Sequence, residues 1–370
     1  MRTALVHDWL TGMRGGEKVL DVLCELLPGS DLYALIHLPG RVTPRIEERR
    51  IVTSWLNRLP GLERGYRCLL PLMPSAARGL RLRGYDLVVA VSHCVAHGVT
   101  VSDGTRFVCY CLTPMRYVWD TEGTYLAGRS RGDLRYRLLR RLGGAFRRWD
   151  RRAAERVTEY VSISRSVQER VRQCYGRDST VIHPPVDTTF YHPVGPREGD
   201  FYLWAGALAP YKRIDLALEA FRRLDARLVV IGEGQDLSWA RRTAPRNVTF
   251  LGRTSDEVLR RHYASCRALI SPGEEDFGIV QVEAQACGCP VIAYGKGGVL
   301  DTVVPLEAGD AAGKPTGVFF TEPSADGLVG AIRRFERHRD RFDPSAIRAQ
   351  ALVFDLSTCR RALKRYLLPG

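Results

Sequence analysis

Short unbroken apolar runs recur along this chain at residues 4–7, 86–91, 106–111 and 160–163, and again at 201–205, 227–231, 248–251, 268–270 and 291–293. Runs that are continuous rather than alternating suit strands buried on both faces, as in a parallel sheet covered by helices. Between them, apolar positions repeat at helical spacing. Each half therefore alternates strand with helix, which predicts an α/β protein built on parallel sheets. At 370 residues the chain is longer than one core usually serves, so two domains are expected. The Pro/Gly-rich stretch HPVGPREG, residues 192–199, supplies the break. This gives a first domain over 1–194, a second over 195–350, and a C-terminal helical segment over 351–370.

Composition narrows the picture. Apolar residues make up 45% and charged residues 26%, a soluble globular balance, and no apolar run reaches the ~20 residues of a membrane span. The start, MRTALVHDWLTG, has an Asp inside its short apolar stretch and does not read as a secretory signal. A cytoplasmic setting is expected. The ten cysteines show no paired zinc spacing; Cys109/Cys111 and Cys287/Cys289 lie in apolar surroundings and read as buried thiols.

Charge is shared unevenly. Residues 1–194 hold 30 Lys and Arg against 19 Asp and Glu, a balance of +11, whereas the remainder hold 25 against 22, or +3. The densest part, 129–156, has eleven arginines and three acids, with Leu134, Leu138, Leu142, Phe146 or Ala145, Trp149 and Ala153 at helical spacing. That predicts a long basic amphipathic helix. An anionic membrane surface or a phosphate-bearing acceptor would suit it, and so would plain solvation of an arginine-rich face. No aromatic-studded basic motif accompanies the charge, which argues against nucleic acid.

Candidate chemistry concentrates in residues 271–298, SPGEEDFGIVQVEAQACGCPVIAYGKGG. Glu275 and Glu283 stand eight residues apart around a helix opened by Gly278 and apolar on nearly every side. An acid in such a helix needs a hydroxyl or cationic partner, because burying an unpaired carboxylate costs several kcal/mol, roughly. The N–H groups of Phe277, Gly278 and Ile279 at the helix start favour an anion such as phosphate. The residues alone also allow solvated loop acids and a structurally paired Glu283. Upstream, the run GALAPYKRID starts at Gly206 and places Lys212 and Arg213 at a helix start, where a cation needs an anion to compensate it. No Asp-x-Asp pair occurs in the chain. Glycine-rich turns follow other strands: TGMRGGEK with Gly15 and Gly16, IGEG with Gly232, Glu233 and Gly234, and FLGR ending in Arg253. His93 and His97 have the spacing of helix metal ligands but no third ligand, and read as structural.

Taken together, these motifs resemble retaining glycosyltransferases of family 4, the glycosyl transferases of group 1. The Glu275-to-Glu283 segment is similar to the E-x7-E signature of that family, and the resemblance runs from His7 to the Ile332 region. It implies the GT-B fold, in which two Rossmann-like domains face each other across a cleft and a C-terminal helix crosses back to the first. It implies that Glu275 contacts donor-sugar hydroxyls, that Glu283 holds the nucleotide ribose, that Lys212 with Arg213 or a nearby Arg offsets the diphosphate, and that the Gly206, Gly232–Gly234 and Arg253 loops line the donor pocket. HDWLTGMRGGEKVL looks like the first loop of a bacterial surface-polysaccharide subgroup, with Gly15 and Gly16 near donor phosphates and His7 and Asp8 on the acceptor side. Two positions depart from the pattern. Where the family reads C-Y-x-H-T-P-M-R-Y this chain has Leu112 in place of the His, followed by Arg116 as an acceptor-side contact, and Ala207 stands where an Arg is usual. The implied activity is transfer of a hexose, mannose from GDP-mannose as the leading donor, to a glycan or polyprenyl-diphosphate-linked acceptor, with no cofactor and no metal, at the inner face of the cytoplasmic membrane. A lapsed nucleotide-sugar-binding protein and a sugar-nucleotide epimerase of the same fold are the alternatives.

Overall fold

The structure, a computed structural model, describes residues 1–119, 134–308 and 313–368. Residues 129–133 of the expected basic helix and Asp120 lie outside the described residues, as do the side chains of Leu134 and Leu138. The chain divides into two compact units, one of Met1–Pro184 with Cys359–Gly370 and one of Pro185–Thr358.

The first unit carries a seven-stranded parallel sheet made of β1 (Thr3–Leu10), β2 (Asp31–His37), β3 (Ile51–Thr53), β5 (Leu87–Ser92), β7 (Arg106–Cys111), β8 (Glu159–Ser162) and β9 (Thr180–Val181). Its order is β3-β2-β1-β5-β7-β8-β9. A separate parallel pair joins β4 (Arg81–Leu82) to β6 (Thr100–Val101). The second unit holds a six-stranded parallel sheet in the order β12-β11-β10-β13-β14-β15, built from β10 (Tyr202–Ala205), β11 (Leu228–Ile231), β12 (Val248–Gly252), β13 (Leu269–Ser271), β14 (Val291–Tyr294) and β15 (Gly317–Phe320). Both are doubly wound sheets whose strand order reverses beside the first strand, at β1/β5 and at β10/β13. Two Rossmann-like α/β units are therefore present.

Burial explains most of the strands the apolar pattern revealed, the half-exposed edge strand β12 being the exception. β1 is buried along its whole length, and β5, β10, β11 and β13 are too. The strands absent from the apolar reading are edge or interrupted ones: β2 alternates in exposure, β3 is half-buried throughout, β9 is two residues long, and β15 opens with a glycine after a polar stretch. The core of the second unit packs Tyr202 and Trp204 of β10 against Phe221, Phe335 and Ile332 on flanking helices.

The division falls at 184/185 rather than 194/195, because the chain beyond Pro184 is already bound to the second unit. Val186 bridges to Asp355, Thr188 donates to the Asp355 carboxylate at 2.6 Å, and Arg348 donates to the carbonyls of Thr188 and Tyr191. At the other end, helix Leu356–Leu367 passes into the first unit, where the Arg106 guanidinium donates to the carbonyls of Tyr366 and Leu367 at 3.0 Å. The basic helix runs over Leu134–Glu155. Phe146, not Ala145, faces inward, and the indole of Trp149 occupies the space that a side chain at Gly98 would need.

Candidate active site

In the second unit, the expected residues gather where β10 and β13 end beside each other, at the switch point of the sheet. β10 runs into Gly206 and then a 3-10 turn, Pro210–Lys212, that hands the chain to helix Ile214–Arg222. β13 runs into Ser271, Pro272 and Gly273, then Glu275. Gly273 lies so close to the turn that an added methyl would come within 2.8 Å of the Lys212 Cα and 3.0 Å of its carbonyl carbon. Only a residue without Cβ lets the two loops meet. As a result the Lys212 ammonium and the Glu275 carboxylate are in direct contact, with only 13% and 16% of their side chains exposed. A cation and an anion held together this way, mostly out of water, form a preset electrostatic element rather than two solvated surface charges.

The helix that carries Glu283 spans Ile279–Ala286, with Gly278 as its N-cap at φ 94°. Gln281 anchors it by donating to the Ser271 hydroxyl at 2.6 Å, which ties the helix start to the end of β13. Glu283 is buried, as expected of an acid in this helix. Burial and then the Glu283 charge raise the phenol pKa values of Tyr191 and Tyr263, which places both rings in its field. Phe277 lies before the N-cap, buried, with its ring stacked edge-on to Phe354 at 5.5 Å, so the helix start proper belongs to Gly278 and Ile279.

The glycine turns interlock around this point. Gly206 N–H donates to Ile231 O at 3.0 Å, Gly232 N–H to Gly252 O at 2.8 Å, and Leu208 N–H to Glu233 O at 2.9 Å. Gly232 and Gly234 have φ of 139° and 159°. Glu233 and Arg253 present exposed side chains, so their part in the turns is made by the backbone. Gly297 and Gly298 pack beneath the Glu275 loop: Gly298 N–H donates to Glu275 O at 2.8 Å, and Lys296 pairs with Glu274 at 3.3 Å.

Two of the expected site residues are engaged by contacts within their own unit. Arg213, expected beside Lys212 as a phosphate cation, turns back on its own helix: its guanidinium grips the Asp215 carboxylate at 3.0–3.2 Å, and its backbone is left-handed at φ 53°. Asp8, expected on the acceptor side, is fully buried, and its two oxygens accept the backbone N–H groups of His93, Cys94, Val95 and Ala96 at 2.7–3.0 Å. Burial alone would raise its pKa, but the His93 ring 3.1 Å away and these donors hold it well below the usual carboxylate range. His93 and His97, read as structural, share no helix, and each lies against a buried acid. His97 sits in a 3-10 turn, its Nε2 3.1 Å from the buried Asp150, which also accepts from Trp119 Nε1 at 2.6 Å and from the Tyr175 hydroxyl at 2.8 Å. That buried acid network left no signal in the sequence, because its members are far apart and each is unremarkable alone.

In the first unit, β1 and β5 end together at the equivalent switch point. His7 is fully buried and its Nδ1 lies 3.1 Å from the Trp9 carbonyl, while burial lowers its pKa toward a neutral ring. Gly15 and Gly16 open helix Gly15–Leu26, whose Glu17 accepts from Arg14 N–H at 3.1 Å. A methyl on Gly16 would meet His7 Nε2 at 3.1 Å and Leu112 Cδ1 at 2.7 Å, so Gly16, His7 and Leu112 form one contact. Arg116 is half-buried at the start of the short helix Arg116–Trp119. Cys109, Cys111, Cys287 and Cys289 are buried free thiols.

Two family models match in succession, Glycosyltransferase Family 4 over residues 13–190 and Glycosyl transferases group 1 over residues 192–349. Over these two stretches the chain is similar to the glycosyltransferases of family 4 and of group 1. Among curated relatives, a GDP-mannose-dependent monoacylated alpha-(1-6)-phosphatidylinositol monomannoside mannosyltransferase of Corynebacterium glutamicum is 30% identical over 42% of this chain and 49% of that protein. A GDP-mannose-dependent alpha-mannosyltransferase of Mycolicibacterium smegmatis is 36% identical over 29% of this chain and 28% of that protein. The chain spans no more than half the length of the curated relatives it matches. Solved structures match nearly end to end. Sucrose-phosphate synthase of Thermosynechococcus elongatus has a TM-score of 0.71 at 15% identity, covering 99% of this chain and 98% of that one. Anabaena HepE in complex with UDP-glucose has a TM-score of 0.69 at 18% identity over 99% of each chain. WaaG, involved in lipopolysaccharide biosynthesis, has a TM-score of 0.65 at 15% identity over the whole of both. At these identities the likeness shows the GT-B fold alone. No helix among the described residues is long and apolar enough to cross a membrane.

Proposed function

We propose that this chain moves a hexose from a nucleoside-diphosphate sugar to an acceptor hydroxyl, with retention at the anomeric carbon and without a metal. The observation that carries the reading is the Lys212–Glu275 contact at the β10/β13 switch point, with Glu283 buried on the adjoining helix. In this reading the Lys212 ammonium shifts to the leaving diphosphate, where it stabilises charge that develops as the sugar–phosphate bond breaks. Glu275, released from the lysine, accepts hydrogen bonds from sugar hydroxyls. Glu283 accepts from the ribose, and the N–H groups at Gly278 and Ile279 face the phosphates. The departing phosphate oxygen takes the acceptor proton, so no protein base is assigned.

Mannose from GDP-mannose is the preferred donor, supported by the two mannosyltransferase relatives; the UDP-glucose complex of HepE makes a UDP-sugar the competing donor. A lipid-linked glycan suits the +11 balance of residues 1–194 as acceptor, with the Leu134–Glu155 helix lying against an anionic membrane. The test is calorimetric titration with GDP-, UDP-, ADP- and dTDP-sugars in the presence of a chelator, followed by transfer to lipid-linked acceptors and determination of product anomer. Binding of one donor with metal-free turnover supports the reading. Turnover only with a divalent ion, or an inverted product, overturns its mechanism; donor epimerised without acceptor, or bound without turnover, would favour the epimerase or the lapsed enzyme.

A further inference from the structure

The first unit also carries a concave, electropositive surface that the reading above does not use. A groove of about 450 Å³ lies along the β4/β6 pair. Arg78 reaches it from the last turn of helix Met73–Gly79, Arg81 from β4, Arg83 from just beyond that strand, and Arg156 from the residue after the basic helix. Strand periodicity explains the arrangement: Leu82 is buried inward while Arg81 and Arg83, two apart, emerge on one face. Within the first unit, the groove lies at the opposite end of the sheet from the expected acceptor-side residues. β4 and β6 precede the starts of β5 and β7, and Arg156 precedes the start of β8, so these arginines sit toward the amino ends of the strands, whereas His7, Asp8 and Leu112 lie at the carboxyl ends.

The charge there is uncompensated. Elsewhere the chain spends exposed arginines on acids: Arg45 on Asp21, Arg223 on Glu219 and Asp326, Arg334 on Glu307, Arg360 on Glu25. Among the described residues, Arg78, Arg81, Arg83 and Arg156 make no ion pair, and the one acid lining the groove, Asp103, makes none either. The Arg156 guanidinium donates to the Gly98 carbonyl at 3.3 Å, and burial followed by the nearness of Arg78 lowers its pKa, as expected of two guanidinium groups held close. Four cations and one acid in a concave site are a mismatch that an anion would relieve.

We propose that this groove binds a phosphate group, as a diphosphate or phosphate monoester or as the phosphodiester of an acidic lipid headgroup. Guanidinium forks match phosphate oxygens in pairs, and a groove of this volume is large enough to hold a phosphorylated small molecule or a headgroup. The site is separate from the one assigned to the donor diphosphate, which lies in the other unit.

The test compares the full chain with R78Q/R81Q/R83Q. Those three side chains are exposed and unpaired, so the unliganded variant should melt with the wild type; should it not, R81E alone replaces it. One arm titrates inorganic pyrophosphate by calorimetry, with K212Q as a control that removes any contribution of the donor site. The other measures co-sedimentation with phosphatidylglycerol/phosphatidylcholine vesicles against pure phosphatidylcholine. The expected result is binding at least about tenfold weaker in the variant, or about 1.4 kcal/mol, with K212Q retaining the groove component. Loss in the pyrophosphate arm assigns a soluble phosphate ligand, and loss confined to anionic vesicles assigns a headgroup. Equal binding of wild type and variant in both arms, or no binding by the wild type in either, overturns the proposal.

Discussion

Replacing Gly273 with Ala tests whether the site depends on loop contact rather than on the identities of its charged residues. Ordinary contact for a methyl begins at about 3.4 Å, and the new Cβ would stand 2.8 Å from Lys212 Cα and 3.0 Å from its carbonyl carbon, against backbone that no rotamer change can move. The Tyr211 carbonyl oxygen is closer still, so the loops must part by about an ångström. Gly273 has no left-handed backbone, so the whole effect is steric. Overpacking of this kind costs about 1–3 kcal/mol, which lowers the melting temperature of a unit this size by ~2–10 °C. The cost to chemistry is larger in proportion. Lys212 and Glu275 move apart, and a displacement of about 1 Å in positioned groups costs ~100-fold in rate. Melting by calorimetry and kcat/KM with the donor identified by titration give both quantities. A variant that melts lower yet keeps kcat/KM within about threefold of wild type would refute the idea that the two loops must touch for the site to work.

Glu275→Gln keeps shape and removes charge; if the carboxylate accepts sugar hydroxyls, turnover should fall by ~10–100-fold, the worth of a hydrogen bond to a charged group, with nucleotide affinity little changed, and wild-type turnover would remove Glu275 from the mechanism. Gly330→Ala lies inside helix Ala325–Arg337, where a methyl would meet only the Arg334 guanidinium at 3.7 Å, so it should stabilise by about 0.5–1 kcal/mol and raise the melting temperature without touching activity. His97 is buried, which lowers its pKa, but Asp150 outweighs burial and the net shift is upward. Protonated His97 therefore adds stability that is fully present below the unfolded value of about 6.5 and is lost as pH rises through the higher folded value. Melting curves of wild type and His97→Gln should converge as pH rises; a gap that widens toward alkaline pH would show that the sign is wrong.

What the sequence revealed follows burial. The central strands β5, β7, β10 and β11 are near-continuous apolar runs and were legible within a residue, and β1 was legible but for its last three residues, whereas β2, whose Asp31, Tyr33 and His37 are half-exposed, gave no clean run. Glu283 was legible because an acid among Val282, Ala284 and Ala286 is conspicuous. The fate of Arg213 was not, because what decides it is a two-residue contact with Asp215 made possible by a left-handed backbone, and nothing in the residue order signals a non-glycine in that conformation. The bonding of Asp8 was not legible for a related reason. An acid at the end of a buried strand looks available for ligand, and only the tertiary path of residues 93–96 shows that its oxygens are already bonded.

That last contrast separates structure from function in two sheets with one topology. Each unit places acids at its switch point, Asp8 at the end of β1 in the first and Glu275 after β13 in the second. Asp8 accepts four backbone donors and is fully buried, so its charge serves to fix the turn after β5. Glu275 touches a single flexible lysine and keeps 16% of its side chain exposed, so its charge can be redirected to a ligand. The same isosteric change should therefore have opposite effects. Asp8→Asn swaps one acceptor oxygen for an NH2 facing N–H groups in a buried site, and should cost about 2–5 kcal/mol by leaving donors unsatisfied. Because the folded pKa of Asp8 is depressed, its contribution in the wild type is present above the unfolded value of about 3.9 and is lost as pH falls through the lower folded value, so the deficit of Asp8→Asn should be present at neutral pH and shrink only in acid. Glu275→Gln should melt within about 1 kcal/mol of wild type, since the pair it breaks retains access to water. Unfolding of both variants at neutral pH decides the matter: if Asp8→Asn is benign and Glu275→Gln is strongly destabilising, the division of labour between the two switch points is the reverse of the one argued here.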